Sequence, residues 1–184
     1  KVGADFAWIQ HMVQSMKPGT GRMAVVMPQG VLFRGNEEGE MRKKMVLTDM
    51  LEAVITLGEK LFFGTGLSPC ILIFRRVKPQ DHSSRVLMVD ASKILTVKRA
   101  QNELSPENVQ EIYQHYLDYA DKEDISRVVT LQEIEEKDFV LAPNRYVHYH
   151  QEEQESYESV KARFDAAVKA VREAEEAFNR LMAQ

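Results

Sequence analysis

The sequence contains a single cysteine, Cys70, among its 184 residues. One thiol excludes an intrachain disulfide and is typical of a reducing cytoplasm. Because Cys70 lies inside an apolar run, we expect a buried structural thiol rather than a nucleophile. No run approaches the ~18 apolar residues of a membrane-spanning helix, and no signal-peptide pattern opens the sequence. We therefore expect a cytoplasmic protein without membrane contact.

The sequence also lacks any complete motif for self-contained chemistry. Neither a Walker phosphate-binding loop nor a Gly-x-Ser-x-Gly turn is present. The glycines between Gly58 and Gly66 do not form a dinucleotide fingerprint, because the loop runs into a second strand rather than a helix. No histidine has the spacing of a metal ligand, so no metal site is predicted. The five histidines are His11, His82, His115, His148 and His150.

Charge is divided unevenly along the chain, whose net charge is −4. Residues 1–99 carry 15 Lys and Arg against 9 Asp and Glu, whereas residues 100–184 carry 9 against 19. The first part is suited to a polyanion and the second would repel one. A chance division between a sheet domain and solvated helices explains the same numbers, so both interpretations stay open.

Residues 53–74 form the stretch around which the chain is organised. Apolar runs at 54–57 and 70–74 are typical of neighbouring strands that are covered on both faces. The loop between them, which carries Phe62 and Phe63, is more apolar than a solvent-facing turn requires, and its glycines allow close backbone approach. Two interpretations stay open: the rings plug the core, or they form the wall of a site.

The segment before this stretch is predicted to hold a helix and a strand. Residues 5–16 form an amphipathic helix with Asp5 as the N-cap. Residues 22–27 form a short buried strand, and the loop that follows lies at the edge where open α/β sheets bind ligands. The apolar face of the helix carries Phe6, Ile9, Val13 and Met16.

Further elements are predicted after the first strand. Residues 37–50 form a helix with Arg42, Lys43 and Lys44 exposed, and residues 86–89 form a strand. Ser105 and Pro106 are a typical helix start, and a short strand is predicted at 128–131. The buried face of the helix after Pro106 is predicted to carry Val109, Ile112, Tyr113 and Tyr116.

The last 30 residues have the clearest periodicity. Apolar residues alternate at spacings of three and four over more than three heptads, flanked by Glu, Lys and Arg. This seam either folds back on its own domain or packs against a partner. The sustained 3.5-residue period favours a partner.

Three segments together resemble a known family. Residues 21–35 (GRMAVVMPQGVLFRG), residues 41–76 and the LAPNRY stretch at 141–146 are similar to the C-terminal part of the modification subunit of type I restriction-modification systems. The resemblance covers residues 4–149 in unbroken order. Members of this family are DNA adenine-N6 methyltransferases that use S-adenosylmethionine.

The resemblance implies an incomplete catalytic unit. The family's Gly-containing donor loop and its Asn/Asp-Pro-Pro-Phe/Tyr motif do not occur here, so we expect a fragment with no catalytic residue that neither binds S-adenosylmethionine nor transfers methyl groups alone. The implied fold is α/β: the second half of a Rossmann-like methyltransferase sheet, followed by a helical C-terminal tail. The strand at 70–74 would insert antiparallel between those at 22–27 and 54–57, whereas an ordinary doubly wound sheet would be all parallel.

This view divides the chain into three parts. Residues 1–99 would form the C-terminal half of the catalytic domain, residues 100–150 an α-rich extension, and residues 151–184 a long C-terminal helix. The alternative function is a non-catalytic assembly module on a methyltransferase-like sheet.

Site residues are carried over from the family by position. Phe62 matches the aromatic residue that stacks on the adenine turned out of the duplex, and Phe63 is the second candidate. The predicted pocket residues are Gln29, Gly30 and Phe33, and the predicted phosphate contacts are Arg34 and Lys60. For these five residues, simple packing of the loop is the competing explanation.

The resemblance also implies partners. The full complex would contain DNA, a specificity subunit that reads the DNA sequence, and a restriction subunit. The heptad seam is suited to docking on the specificity subunit. Its predicted contact residues are Tyr157, Val160, Phe164, Val171, Phe178 and Leu181.

Overall fold

The structure, a computed structural model, describes residues 4–150 and 157–182, without the side chains at positions 176, 177 and 180–182. The chain divides into two compact units between Tyr149 and His150. The first unit is an α/β domain and the second holds one long helix. We describe each separately.

Ten main elements are present in the described residues. The helices are α1 (Asp5–Ser15), α2 (Asn36–Leu47), α3 (Pro106–Asp118), α4 (Leu131–Glu136) and α5 (Tyr157–Met182). The strands are β1 (Arg22–Pro28), β2 (Leu51–Leu57), β3 (Pro69–Arg75), β4 (Arg85–Ala91) and β5 (Ser126–Thr130).

The five strands form one mixed sheet in the order β1-β3-β2-β4-β5. β3 is antiparallel to both of its neighbours, with Leu72 opposite Val25 on β1 and Val54 on β2. β2 and β4 are parallel, and β5 is antiparallel to β4. The predicted insertion of the 70–74 strand is therefore confirmed, and the all-parallel sheet is excluded. β1 forms one edge of the described sheet.

Both faces of the central strand are covered, as its apolar run predicts. Every residue of β2 is buried. Val54 belongs to the core on one face together with Phe6 of α1 and Val46 of α2. Ile55 belongs to the core on the other face together with Ile112 of α3. Burial of these side chains stabilises the sheet by roughly 1.5–3 kcal/mol for each large residue.

The helix ends confirm one predicted cap and correct another. Ser105 accepts a hydrogen bond from the Asn108 backbone N–H, and Asn108 reciprocates, so the predicted start of α3 is confirmed. Asp5 is not the N-cap of α1, because Ala4 occupies that position without a side-chain cap. The carboxylate of Asp5 instead pairs with Arg34 at 3.1 Å. The predicted apolar face of α1 is buried.

The predicted exposure of Arg42 is wrong, because this residue is only 2% exposed. Its guanidinium donates to the carbonyl oxygens of Phe139 at 2.7 Å, Arg34 at 2.7 Å and Val31 at 3.3 Å. Carbonyls in a buried, irregular segment need donors, and arginine supplies five. Arg42 thereby fastens the loop after β1 to the segment around residue 140.

The exposed side of α3 differs from the prediction. Ile112 is buried, but Val109 and Tyr113 are each 51% exposed. With residues of β1 and β3 they line an apolar groove of about 480 Å³. The prediction assumed a fully covered helix face, whereas the sheet below α3 is open on its β1 side.

The helix α5 confirms the predicted C-terminal element over 26 residues. Five predicted seam residues are exposed, and the side chain of Leu181 lies outside the described residues. The exposed fractions run from 46% to 79% for Tyr157, Val160, Phe164, Val171 and Phe178. In the described part of the chain, no helix combines the length and apolarity needed to cross a bilayer.

Candidate functional site

The carboxyl ends of three strands meet at one edge of the sheet. β1, β2 and β4 share one direction because β3 runs antiparallel between the first two. A pocket of about 490 Å³ opens at this edge. Thr56, Asp90, Asn144 and Arg145 contribute polar groups to its wall. Ligands of open α/β sheets bind at such an edge.

The Asp90 carboxylate accepts three hydrogen bonds. It accepts from the Thr56 hydroxyl and the Ser92 backbone N–H, each at 3.1 Å, and from the Tyr149 hydroxyl. Burial alone would raise the pKa of Asp90, but hydrogen bonds led by those of Tyr149 and Ser92 outweigh it and hold the pKa below its usual range. Asp90 therefore fastens the end of the domain as an ionised group and is not a free base.

The loop between β2 and β3 has a fastened stem. The Asn102 backbone N–H donates to the Lys60 carbonyl at 3.0 Å, and its amide donates to the Glu59 carbonyl at 3.1 Å. A Cβ on Gly58 would lie 2.7 Å from the Ser92 backbone carbonyl oxygen, so glycine is needed there. The stem is thus held in place while the tip of the loop extends from the sheet.

The two aromatic rings at the tip do not plug the core. Phe62 is 51% exposed and Phe63 is 92% exposed. An exposed ring on a fastened stem is available to stack on a planar group. The exposure of the two rings therefore rules out the interpretation that they plug the core. The role of either ring in binding a base stays a prediction.

The predicted pocket residues fall in different places. Gln29 and Phe33 line the pocket at the carboxyl edge, and the Gln29 backbone N–H donates to the Ser68 carbonyl at 3.3 Å. Gly30 lies against Arg34, where a Cβ would come within 2.5 Å of the guanidinium. Glycine at position 30 therefore makes room for Arg34 beside the pocket.

The two predicted phosphate contacts already have acidic neighbours. Arg34 pairs with Asp5 at 3.1 Å and with Glu38 at 3.4 Å. Lys60 lies 3.7 Å from the Glu59 carboxylate. A phosphate would have to compete with these carboxylates.

Sequence reasoning did not identify Asn144 and Arg145 as site residues. Both line the pocket and are exposed. The available signal was two polar residues directly after Pro143 in the LAPNRY stretch. In the described part of the chain, no three His, Cys, Asp or Glu side chains converge as metal ligands.

Comparison with family models shows that the model described as N-6 DNA Methylase matches residues 1–155.

Curated relatives are similar over most of this chain. It is 36% identical over 151 residues to the type I restriction enzyme MjaVII methylase subunit of Methanocaldococcus jannaschii, covering 80% of this chain and 26% of that protein. It is 33% identical over 155 residues to the HindI methylase subunit of Haemophilus influenzae, covering 80% of this chain and 34% of that protein. The chain therefore spans about a quarter to a third of the length of these relatives.

Solved structures share the fold. The methyltransferase subunit of a type I restriction-modification system from Streptococcus thermophilus superposes with a TM-score of 0.74 at 32% identity, over 79% of this chain and 30% of that one. The EcoKI M protein superposes with a TM-score of 0.59 at 18% identity, over 97% of this chain and 44% of that one. The second likeness shows the fold alone.

Proposed function

The chain belongs to the N-6 DNA methylase family, and from that membership we propose that it forms the target-base side of a type I DNA adenine-N6 methyltransferase. The resemblance predicted from the sequence is confirmed by the family match and by relatives named type I restriction enzyme methylase subunits. The predicted fold class is confirmed too, since the mixed sheet and C-terminal helix have counterparts with the methyltransferase fold.

The exposed aromatic loop at the carboxyl edge is the observation that carries this proposal. An enzyme that methylates the exocyclic amine of adenine must take the base out of the duplex stack. An exposed aromatic face compensates for the lost stacking by about 1–3 kcal/mol per base. Phe62 is half exposed on a loop whose stem is held by Asn102, and this exposure supports the proposed base-stacking role.

The described residues do not fit the methyl donor S-adenosylmethionine. β1 ends at Pro28 and continues into a short 3₁₀ turn, Gln29–Leu32, rather than a glycine-rich loop that opens a long helix. The sequence contains no Asn/Asp-Pro-Pro-Phe/Tyr motif either. We propose that another part of the full-length methylase subunit binds the donor and holds the target amine.

The unpaired edge of β1 supports the assignment of donor binding to another part of the methylase subunit. In the described ranges, no strand pairs with that edge of β1. An unpaired edge presents a row of backbone donors and acceptors that another strand can complete. We place the donor-binding half of the sheet against this edge.

A methyl-transfer assay tests the proposed function. Labelled S-adenosylmethionine and duplex DNA are incubated with this chain alone, and with the full-length methylase subunit assembled with its specificity subunit. Label is expected on adenine N6 in the assembly only. If the assembly leaves adenine unlabelled, the catalytic assignment fails and the non-catalytic assembly module takes its place.

The seam of α5 supports an additional docking role. Its aromatic and aliphatic side chains are exposed along one face, and a helix with one apolar stripe needs a covering surface. We propose the specificity subunit as the partner, within a complex that includes the restriction subunit and DNA.

We also propose a cytoplasmic setting. The single cysteine, Cys70, is consistent with it, because the thiol is buried and burial raises its pKa to about 12.

Phe164→Ala is expected to weaken binding of the methylase subunit to the specificity subunit roughly 10- to 150-fold, because burying a phenylalanine is worth about 1.5–3 kcal/mol. Titration calorimetry measures the change. Alanine favours the helix, so α5 itself is retained.

Lys169→Ala is the matched control for the seam. Lys169 lies on the opposite face of α5, and among the described side chains it pairs with Glu173 at 3.8 Å. An exposed pair of this kind contributes about 0–1 kcal/mol. Equal losses in the two variants would show that the seam is not the docking face.

A further inference from the structure

We propose that the Arg145 guanidinium, with the Asn144 amide beside it, binds a DNA phosphate next to the target adenine. This inference rests on the proposed function and names a contact that the family resemblance did not supply. Four observations support it: the position of the two side chains, the lack of an ion pair to Arg145 in the described residues, the rigidity of their backbone and the chemistry of the pocket.

Both side chains lie where the DNA would pass. They line the pocket at the carboxyl edge, whose wall also includes Phe33 and Gln29. The aromatic loop leaves the sheet at the same edge, because β3 begins where β2 ends. A base stacked on the loop would bring its own sugar-phosphate backbone past this pocket.

Arg145 has no acidic partner among the residues that the structure describes. Within residues 4–150 and 157–182 its guanidinium forms no ion pair, whereas Arg34, Arg127 and Lys98 are paired with carboxylates at 3.1, 2.6 and 2.5 Å. An arginine without a carboxylate partner keeps its charge for a ligand. This distinguishes it from the predicted phosphate contacts Arg34 and Lys60.

The backbone under the two side chains is fixed. The Arg145 N–H donates to the Ala142 carbonyl at 3.0 Å, and its own carbonyl accepts from the Lys137 ammonium. The next residue, Tyr146, is 2% exposed, and its hydroxyl donates to the Val140 carbonyl. Leu141 N–H donates to the Leu32 carbonyl at 2.8 Å. Phosphate binding would therefore immobilise the two side chains but little of the backbone, which keeps the entropy cost of binding small.

The chemistry of the pair matches a phosphodiester. A guanidinium presents paired N–H groups that fit two phosphate oxygens, and an amide adds a further donor. Asp90 lines the same pocket, but three donors already occupy its carboxylate. Because Asp90 stays ionised, the anion is held by the Arg145 guanidinium, which supplies the positive charge among the residues that line the pocket.

The test measures DNA binding of the assembled full-length methyltransferase against salt concentration by fluorescence anisotropy. Each lost phosphate contact reduces the slope of log K against log salt by about 0.9. Arg145→Gln is expected to show that reduction on specific and nonspecific duplexes alike, and Arg145→Lys is expected to retain the slope. Arg85→Gln removes the same charge from an exposed position at the amino end of β4 and is expected to leave the slope unchanged.

Three outcomes would overturn the inference. One is an unchanged slope for Arg145→Gln in an assembly that methylates adenine. A second is equal slope changes for Arg145→Gln and Arg85→Gln. A third is a raised KM for S-adenosylmethionine with unaltered DNA binding, which would assign the guanidinium to the donor. If the unmodified assembly methylates no adenine, the proposed function fails instead, and the two failures stay distinguishable.

Discussion

Phe62→Ala is expected to lower methyl transfer by the assembled methyltransferase roughly 5- to 150-fold, because stacking on an aromatic side chain is worth about 1–3 kcal/mol per base. The ring is half exposed, and the stem of its loop is held by Asn102. Alanine therefore removes the stacking surface without removing a buried core residue. Single-turnover transfer of labelled methyl groups to duplex DNA measures the change.

Phe63→Ala is the matched control for this prediction. Phe63 lies next along the same loop and is 92% exposed, but Phe62 is the residue that matches the base-stacking position of the family, so loss of Phe63 is expected to have a smaller effect. A larger loss with Phe63→Ala would transfer the base-stacking role to Phe63.

A second control places the target adenine in a mismatch, where less unstacking energy is needed. A penalty for Phe62→Ala that does not shrink on the mismatch would contradict a stacking role.

Short-range patterns predicted most of the elements. The apolar runs at 54–57 and 70–74 correspond to β2 and β3, and the Ser105 cap corresponds to the start of α3. The position of β3 between its neighbours came from the family resemblance, because two apolar strands joined by a loop are compatible with several pairings.

The failures involve residues whose partners are distant in sequence. Arg42 lies in a basic run that is typical of an exposed helix face, yet one of its carbonyl acceptors is on Phe139. Arg145 lies beside Thr56 and Asp90 only because the sheet brings three strand ends together. No local pattern encodes such proximity, so the polar half of the site could not be predicted from the sequence.

Glu52→Gln is expected to destabilise the α/β unit by about 3–5 kcal/mol. This is the usual cost of removing one partner of a buried ion pair, because the other charge is then left uncompensated. Glu52 is 1% exposed and accepts from Arg75 at 2.9 Å and from the Tyr116 hydroxyl at 2.8 Å. The Arg75 side chain keeps 27% exposure, which places the expected loss towards the lower end. Urea unfolding followed by Trp8 fluorescence measures it.

The cluster explains why one buried carboxylate has so large an expected effect. The register of β2 against β3 shifts between Leu51 and Ala53, which turns Glu52 towards α3. His82 contributes a contact at 3.2 Å to the same carboxylate and stacks on Tyr119 with 3.5 Å between ring centroids. Glu52 thus joins β2, β3 and the end of α3, and a neutral amide leaves the Arg75 charge uncompensated.

Glu59→Gln is the matched control, since the Glu59 side chain is 61% exposed and has only Lys60 nearby, at 3.7 Å. A surface pair of this kind contributes about 0–1 kcal/mol. Equal destabilisation by the two substitutions would show that the buried cluster contributes no more than a surface pair.

The dependence on pH distinguishes loss of the Glu52 charge from a general packing defect. Burial alone would raise the pKa of Glu52, but the hydrogen bonds from Tyr116 and His82 and the charge of Arg75 outweigh it and lower the pKa below 4.5. The unfolded chain therefore binds the proton more readily, so the contribution of Glu52 is present above pH 4.5 and is lost as the pH falls through the folded-state pKa. The difference between the unmodified chain and Glu52→Gln is expected to be full near pH 7 and to shrink in acid. A difference that stays constant from neutral pH into acid would assign the effect to packing rather than to the buried charge.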